Sequence, residues 1–121
     1  MSGHRLPDYL EHILEAAQQA VQYVEALAKD EFLADRRTQQ AVVLNLVIVG
    51  EAATQLIKDH QAFLDRFPEI PWASMKGMRN RLAHGYFDIN LDVVWDTVQT
   101  ALPPLIARLP ALLQEARQIG S

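Results

Sequence analysis

Met78-Arg79-Asn80-Arg81-Leu82-Ala83-His84-Gly85-Tyr86-Phe87 is the stretch on which the reading of this chain turns. The eight positions from Arg79 to Tyr86 hold two arginines, an amide, a histidine and a tyrosine. A helix that only built a core would carry leucines and alanines at this spacing. Gly85, directly after His84, is a helix stop, because glycine reaches positive φ without a Cβ penalty. The sequence therefore predicts a helix whose last turns run from Arg79 to Ala83, with His84 at its C-terminal edge and Tyr86 just beyond. At about 100° per residue, the step from Arg79 to His84 leaves the two roughly 140° apart on a continuous helix. They converge poorly within one chain unless the chain turns at His84; alternatively, they meet across a symmetric dimer.

The flanks add to this pattern. Upstream stand Pro68-Glu69-Ile70-Pro71-Trp72 and then Gly77-Met78. Downstream stand Phe87-Asp88-Ile89-Asn90-Leu91-Asp92-Val93-Val94-Trp95 and Leu102-Pro103-Pro104-Leu105, and further back Val49-Gly50-Glu51-Ala52-Ala53. With four residues between Arg79 and His84, then Gly85 and Tyr86, the chain resembles the HEPN superfamily and, within it, the HepT-like toxins. The resemblance extends from about Asp8 to Leu113. It implies one HEPN domain over residues 1–121, built as an antiparallel helical bundle of four to five main helices. It also implies a metal-independent endoribonuclease toxin of a type VII toxin–antitoxin system that needs no cofactor. Its partners would be RNA, a second copy of itself in a homodimer, and a cognate minimal nucleotidyltransferase antitoxin that silences it by AMP transfer. The rival reading is a non-catalytic helical partner or substrate-binding subunit of such a nucleotidyltransferase. The complete Arg79, His84, Tyr86 set favours the enzyme.

Bulk composition narrows the classes. A chain of 121 residues is one domain by the usual size prior. Half of it is hydrophobic, enough for a real core, although so small a domain gains from association. A formal charge of −4 argues against a broadly basic nucleic-acid binder. Contact with RNA must then be local, and Lys76, Arg79 and Arg81 form the obvious cluster. There is no cysteine, which excludes disulfides and thiolate metal sites and suits a reducing compartment. No apolar run approaches about 18 residues, so no membrane span is expected. The N-terminus lacks the apolar region of a signal peptide, so a cytoplasmic location is expected.

Along the chain the apolar spacing is helical. Asp8 with Glu11 reads as a capping box opening a first helix, and Leu10, Ile13, Leu14, Ala17, Val21, Val24 and Leu27 give it one buried face to about Ala28. Asp30 caps a short turn carrying Phe32 and Leu33. Asp35 starts the central helix, which ends near Asp59. Its middle, Ala41 to Val49, is apolar almost all round except at Asn45, so it should be covered on more than one side and form part of a subunit interface. A short helix over Gln61 to Phe67 stops at Pro68, and Pro71 suits the first position of the motif helix. Asn90 is an N-cap with Asp92 favourable behind it. Pro103-Pro104 should break or kink that helix, and a last helix from Leu105 to about Gln118 should kink at Pro110. There is no strand-like alternation and no repeat, so the fold class is all-α.

The chemistry centres on His84. Metal-free RNA cleavage needs a group that moves protons near neutral pH, and histidine does so unperturbed. Arg79 would bind the phosphate with its planar fork and stabilise developing charge. Taken alone, the stretch favours a histidine that merely caps a helix C-terminus, where cations are favoured. The whole-chain resemblance tips the reading to catalysis. Tyr86 either stacks on or hydrogen-bonds RNA or, as the resemblance implies, is the AMPylation target; its bland reading is a half-buried aromatic with a satisfied hydroxyl. Asn80 shares a helix face with His84 and could orient it. Arg81 should face solvent or a partner acid, and Glu51 should pair with Arg79 as a structural ion pair. Metal ligation is not expected: Asp8 with His12 lacks a third ligand, and the donors of Asp59-His60 point apart.

Overall fold

The computed structural model describes residues 5–85 and 88–120. Among the described residues every regular element is helical. They are α1 (Leu6–Val24), α2 (Lys29–Leu33), α3 (Arg36–Asp59), α4 (Gln61–Leu64), α5 (Trp72–His84), α6 (Leu91–Asp96), a π-helical turn (Thr97–Ala101) and α7 (Leu102–Gly120). Four of these helices are long, and they form the all-α bundle that the periodicity predicts. α3 is central: its main neighbours are α1 and α5, and α7 packs on the α1 side.

Four helices, α1, α2, α3 and α6, start where a polar side chain takes up an orphan N–H. Asp35 caps α3, accepting from Thr38 N at 3.1 Å, and Asn90 caps α6, accepting from Val93 N at 3.2 Å. Two starts lie earlier than the sequence reading placed them. α1 begins at Leu6, and Asp8 sits one turn in, reaching back to the Arg5 N–H at 3.1 Å. α2 begins behind Ala28, whose N–H goes to Glu31 Oε1 at 2.7 Å, so Glu31 rather than Asp30 does the capping. Both are acidic side chains folding back onto the helix start, a geometry as good as the direct cap. α1 also stops at Val24, short of Ala28, and Pro71 stands just outside α5 rather than in its first position.

The prolines do not break the last helix. Ahead of Pro103-Pro104 the ladder widens to a five-residue step, with the Leu102 N–H donating to the Thr97 carbonyl. Leu102 keeps helical angles at φ −74° and ψ −40°, and α7 then runs through Pro110 to Gly120. A π turn is a known way for a helix to absorb a local misfit, and it shifts the register where the rings need room.

The core is contiguous. Leu10 and Ile13 of α1, Val42 and Leu56 of α3, and Leu109 and Leu112 of α7 are fully buried, each contributing about 1.5–3 kcal/mol. Ala16, Ala17 and Ala20 of α1 and Ala52 and Ala53 of α3 are buried too, and small side chains let these helices approach closely. By length and apolarity alone α3 could cross a membrane, a property shared with bundle core helices; here it packs between α1 and α5. Asn45, its one buried polar side chain, donates to the Ala41 carbonyl at 3.2 Å. Within one chain the expected cover is incomplete. Leu44 is 60% exposed and Ile48 37%.

Gly50 sets the distance between α3 and α5. A β-carbon there would lie 2.2 Å from Arg79 Cβ and 2.6 Å from the Met75 carbonyl oxygen. Neither atom can swing away, because one is backbone and the other is the root of its side chain. Gly77 lies in α5, but its nearest neighbour would be Arg81 Nη1 at 3.5 Å, an ordinary contact with a flexible tip. The two glycines should therefore respond oppositely to alanine. Gly77→Ala should stabilise by about 0.5–1 kcal/mol through helix propensity. In Gly50→Ala the overpacking of about 1–3 kcal/mol should outweigh that gain. Urea unfolding checks both, and stabilisation by Gly50→Ala would refute the close approach.

Candidate functional site

α5 is a poor core helix. Of its side chains only Trp72 and Leu82 are buried. Trp72 anchors its start, with the indole N–H donating to the Phe67 carbonyl at 3.2 Å. The helix ends at His84 as the sequence predicts, but Gly85 is not left-handed; its φ is −122°. The Gly85 N–H returns to the Arg81 carbonyl at 2.9 Å, and an added β-carbon would press on that same oxygen at 3.0 Å. Close approach, rather than positive φ, is what favours glycine here.

Gly50 lets the stem of Arg79 lie on the α3 backbone, which brings the guanidinium beside the next residue, Glu51. Arg79 Nε and Nη2 both donate to Glu51 Oε1, at 2.9 and 2.6 Å. Arg79 Nη1 donates to Asn80 Oδ1 at 2.6 Å. Gln55, one turn further along α3, donates to Glu51 Oε2 at 3.2 Å. The Arg79 bonds, and after them the Gln55 bond, hold the Glu51 carboxyl below its ordinary range, with partial burial working against them. The expected Glu51–Arg79 ion pair thus forms. Asn80 is a correction: it is engaged with Arg79, not turned to orient His84.

His84 is exposed, and its imidazole makes no hydrogen bond among the described residues. Since α5 is helical from Trp72 to His84, the step to Arg79 spans roughly 140° of rotation and about 7.5 Å of rise. The chain does not turn early enough to bring the two together. Arg81 is exposed on the His84 side and leans back over Gly77. It also borders a groove of about 270 Å³ shared with Asp88, Asn90 and Val93. Lys76 is half-buried, one turn before Arg79 and Asn80. Tyr86, the expected RNA contact and modification target, lies outside the described residues. Among the described residues no three His, Asp or Glu side chains converge as a metal site would require. The motif is therefore divided: Arg79 is joined to Glu51 and Asn80, while His84 and Arg81 lie round the helix from Arg79 and outside that group. Sequence reasoning did not find Gln55, which stands one turn beyond Glu51 with no pattern to mark it.

Comparison with known proteins gives the family. Residues 13–112 match the family described as ribonuclease HepT-like. A protein of Thermococcus cleftensis named "Probable ribonuclease HepT" is 38% identical over 105 residues, covering 87% of this chain and 93% of that one. A candidate RNase of Methanocaldococcus jannaschii is 34% identical over 88% of this chain and 86% of its own length. Another, from Caldanaerobacter subterraneus subsp. tengcongensis, is 32% identical over 90% of this chain and 95% of its own. No solved structure matches. With a family match spanning most of the bundle and relatives aligned nearly end to end, the chain belongs to the HepT-like ribonuclease family, a family of RNA-cleaving enzymes.

Proposed function

We propose that this chain is a metal-independent endoribonuclease toxin in which His84 moves the proton and Arg79 holds the phosphate. The observation that carries the reading is an exposed imidazole, without a hydrogen bond among the described residues, at the end of α5 on the same helix as a guanidinium held by Glu51 and Asn80. His84 takes the proton from a ribose 2′-hydroxyl, and that oxygen attacks the adjacent phosphorus. The bond to the 5′-oxygen breaks and that oxygen takes a proton from water, leaving a 2′,3′-cyclic phosphate on one fragment and a 5′-hydroxyl on the other. Arg79 stabilises the charge on the phosphoryl oxygens as it builds. Lys76 and Arg81 bind flanking phosphates, a local patch on a chain of net charge −4. Tyr86 contributes a further contact to the RNA.

The working form is a homodimer. Leu44, Ile48 and Glu51 share one stripe of α3, so the exposed apolar strip runs directly up to the Arg79 pair. A second copy covering Leu44 and Ile48 through a two-fold axis brings the partner's α5 towards Arg79. Arg79 of one subunit then works with His84 of the other. The off switch is a cytoplasmic nucleotidyltransferase partner that transfers AMP from ATP to the Tyr86 hydroxyl, releasing pyrophosphate. The attached phosphate sits two residues from His84 and competes with RNA at high effective concentration.

His84→Ala should lower RNA cleavage by about 10²-fold or more without lowering the melting temperature. Wild-type cleavage should persist in EDTA and leave cyclic phosphate ends, whereas activity surviving His84→Ala would remove the assigned mechanism. Mixing inactive Arg79→Ala with inactive His84→Ala protein should restore about a quarter of wild-type activity if subunits exchange freely and each site spans two chains. No recovery in a confirmed mixed dimer would place both groups in one chain. After co-expression with the partner enzyme, intact mass should rise in whole AMP units, and Tyr86→Phe should abolish the rise. A silent but unmodified complex would mean that inhibition works by burial.

A further inference from the structure

Resting on the ribonuclease reading, we propose that Glu51 is a positioning residue of the nuclease site, which with Asn80 fixes the plane of the Arg79 guanidinium so that its free N–H groups face the phosphate. Three observations carry this. Glu51 approaches Arg79 from a different helix, using one oxygen for both Nε at 2.9 Å and Nη2 at 2.6 Å. Asn80 holds Nη1 at 2.6 Å from within α5. Of the five N–H groups of an arginine, two are therefore left for a ligand, and rotation about the terminal bonds is blocked from two sides. Glu51 itself is steadied by Gln55 at 3.2 Å.

The exposure of the pair points the same way. The Arg79 side chain is 25% exposed and that of Glu51 47%, so an approaching anion can reach the guanidinium. An ion pair this open adds little to folding. What it does fix is orientation, and a planar fork rewards orientation more than a point charge does. Gly50 makes the arrangement possible, because the stem of Arg79 must first lie against α3 for Glu51 to reach it. Arg79→Lys would keep the charge but lose the fork, so lysine should not substitute and should make Glu51 irrelevant.

The test is a double-mutant cycle of Glu51→Gln and Arg79→Lys, read as kcat and KM on a short RNA, with melting temperature alongside. Glu51→Gln should lower kcat by about tenfold to a hundredfold, change KM much less, and leave melting nearly unchanged. In the Arg79→Lys background the same substitution should have an effect of less than about twofold. A kcat within about twofold of wild type, or an equal loss in both backgrounds, overturns the proposal. A second readout does not need activity. In nitrogen–proton spectra the Arg79 Nε–H should be displaced and protected from exchange in the wild type, and should revert towards a free arginine in Glu51→Gln. If the wild type cleaves no RNA, the ribonuclease reading falls while this signal still decides the positioning role. A wild-type Nε–H that already behaves as a free arginine overturns it.

Discussion

The close approach of α3 and α5 at Gly50 is the constraint on which the rest depends. α5 fully buries only Trp72 and Leu82, with Met75 and Met78 half-buried against the core, a thin apolar face for a thirteen-residue helix. What seats it is the notch in α3 where a side chain is missing, with Met75 and Arg79 lying against the bare backbone. The same contact that stabilises α5 delivers Arg79 to Glu51. Packing and chemistry are thus coupled at one residue: a change that lifts α5 off α3 weakens the fold and disperses the charged group together.

The coupling also explains why the motif splits. A helix seated by one face must present its other residues elsewhere. Arg79 belongs to the seated side and is tied down by Glu51 and Asn80, whereas His84 and Arg81 look outward and are exposed. Within one subunit the Arg79 guanidinium and the His84 imidazole therefore do not face a common point. The exposed Leu44 and Ile48 lie on the stripe that leads to Glu51. The proposed two-fold contact would cover this exposed apolar strip and bring a second α5 to the same edge.

Much of this was legible from residue types and spacing. The apolar period located α1 and α3, Pro71 and Gly85 bracketed α5, and the caps at Asp35 and Asn90 fell where side-chain oxygens could meet orphan N–H groups. The acid reading back from Glu31 was harder to place, since Asp30 beside it is an equally plausible cap from composition alone. The expected break at the prolines did not occur, for a different reason. Rules for proline describe an α-ladder, and this chain changes to a π turn before Pro103, which no residue pattern announces. At the site, Arg79 and Glu51 could be paired from sequence because a lone acid on an apolar helix needs a partner. Asn80 was assigned to the wrong partner: helical spacing pointed it to His84, and only the tertiary seat of Arg79 brings the guanidinium to its amide oxygen.

The account's central claim is that phosphate binding and proton transfer come from Arg79 and His84 acting on one RNA linkage. A crystal structure with an oligonucleotide carrying a 2′-O-methyl group at the cleavage position tests this most directly, because the nucleophile is blocked while the phosphate remains. The account predicts a phosphate oxygen within about 3 Å of an Arg79 nitrogen and an imidazole nitrogen of His84 beside the blocked 2′-oxygen, with the two residues drawn from different subunits. A phosphate seated away from Arg79, or a His84 remote from every ribose, would contradict it.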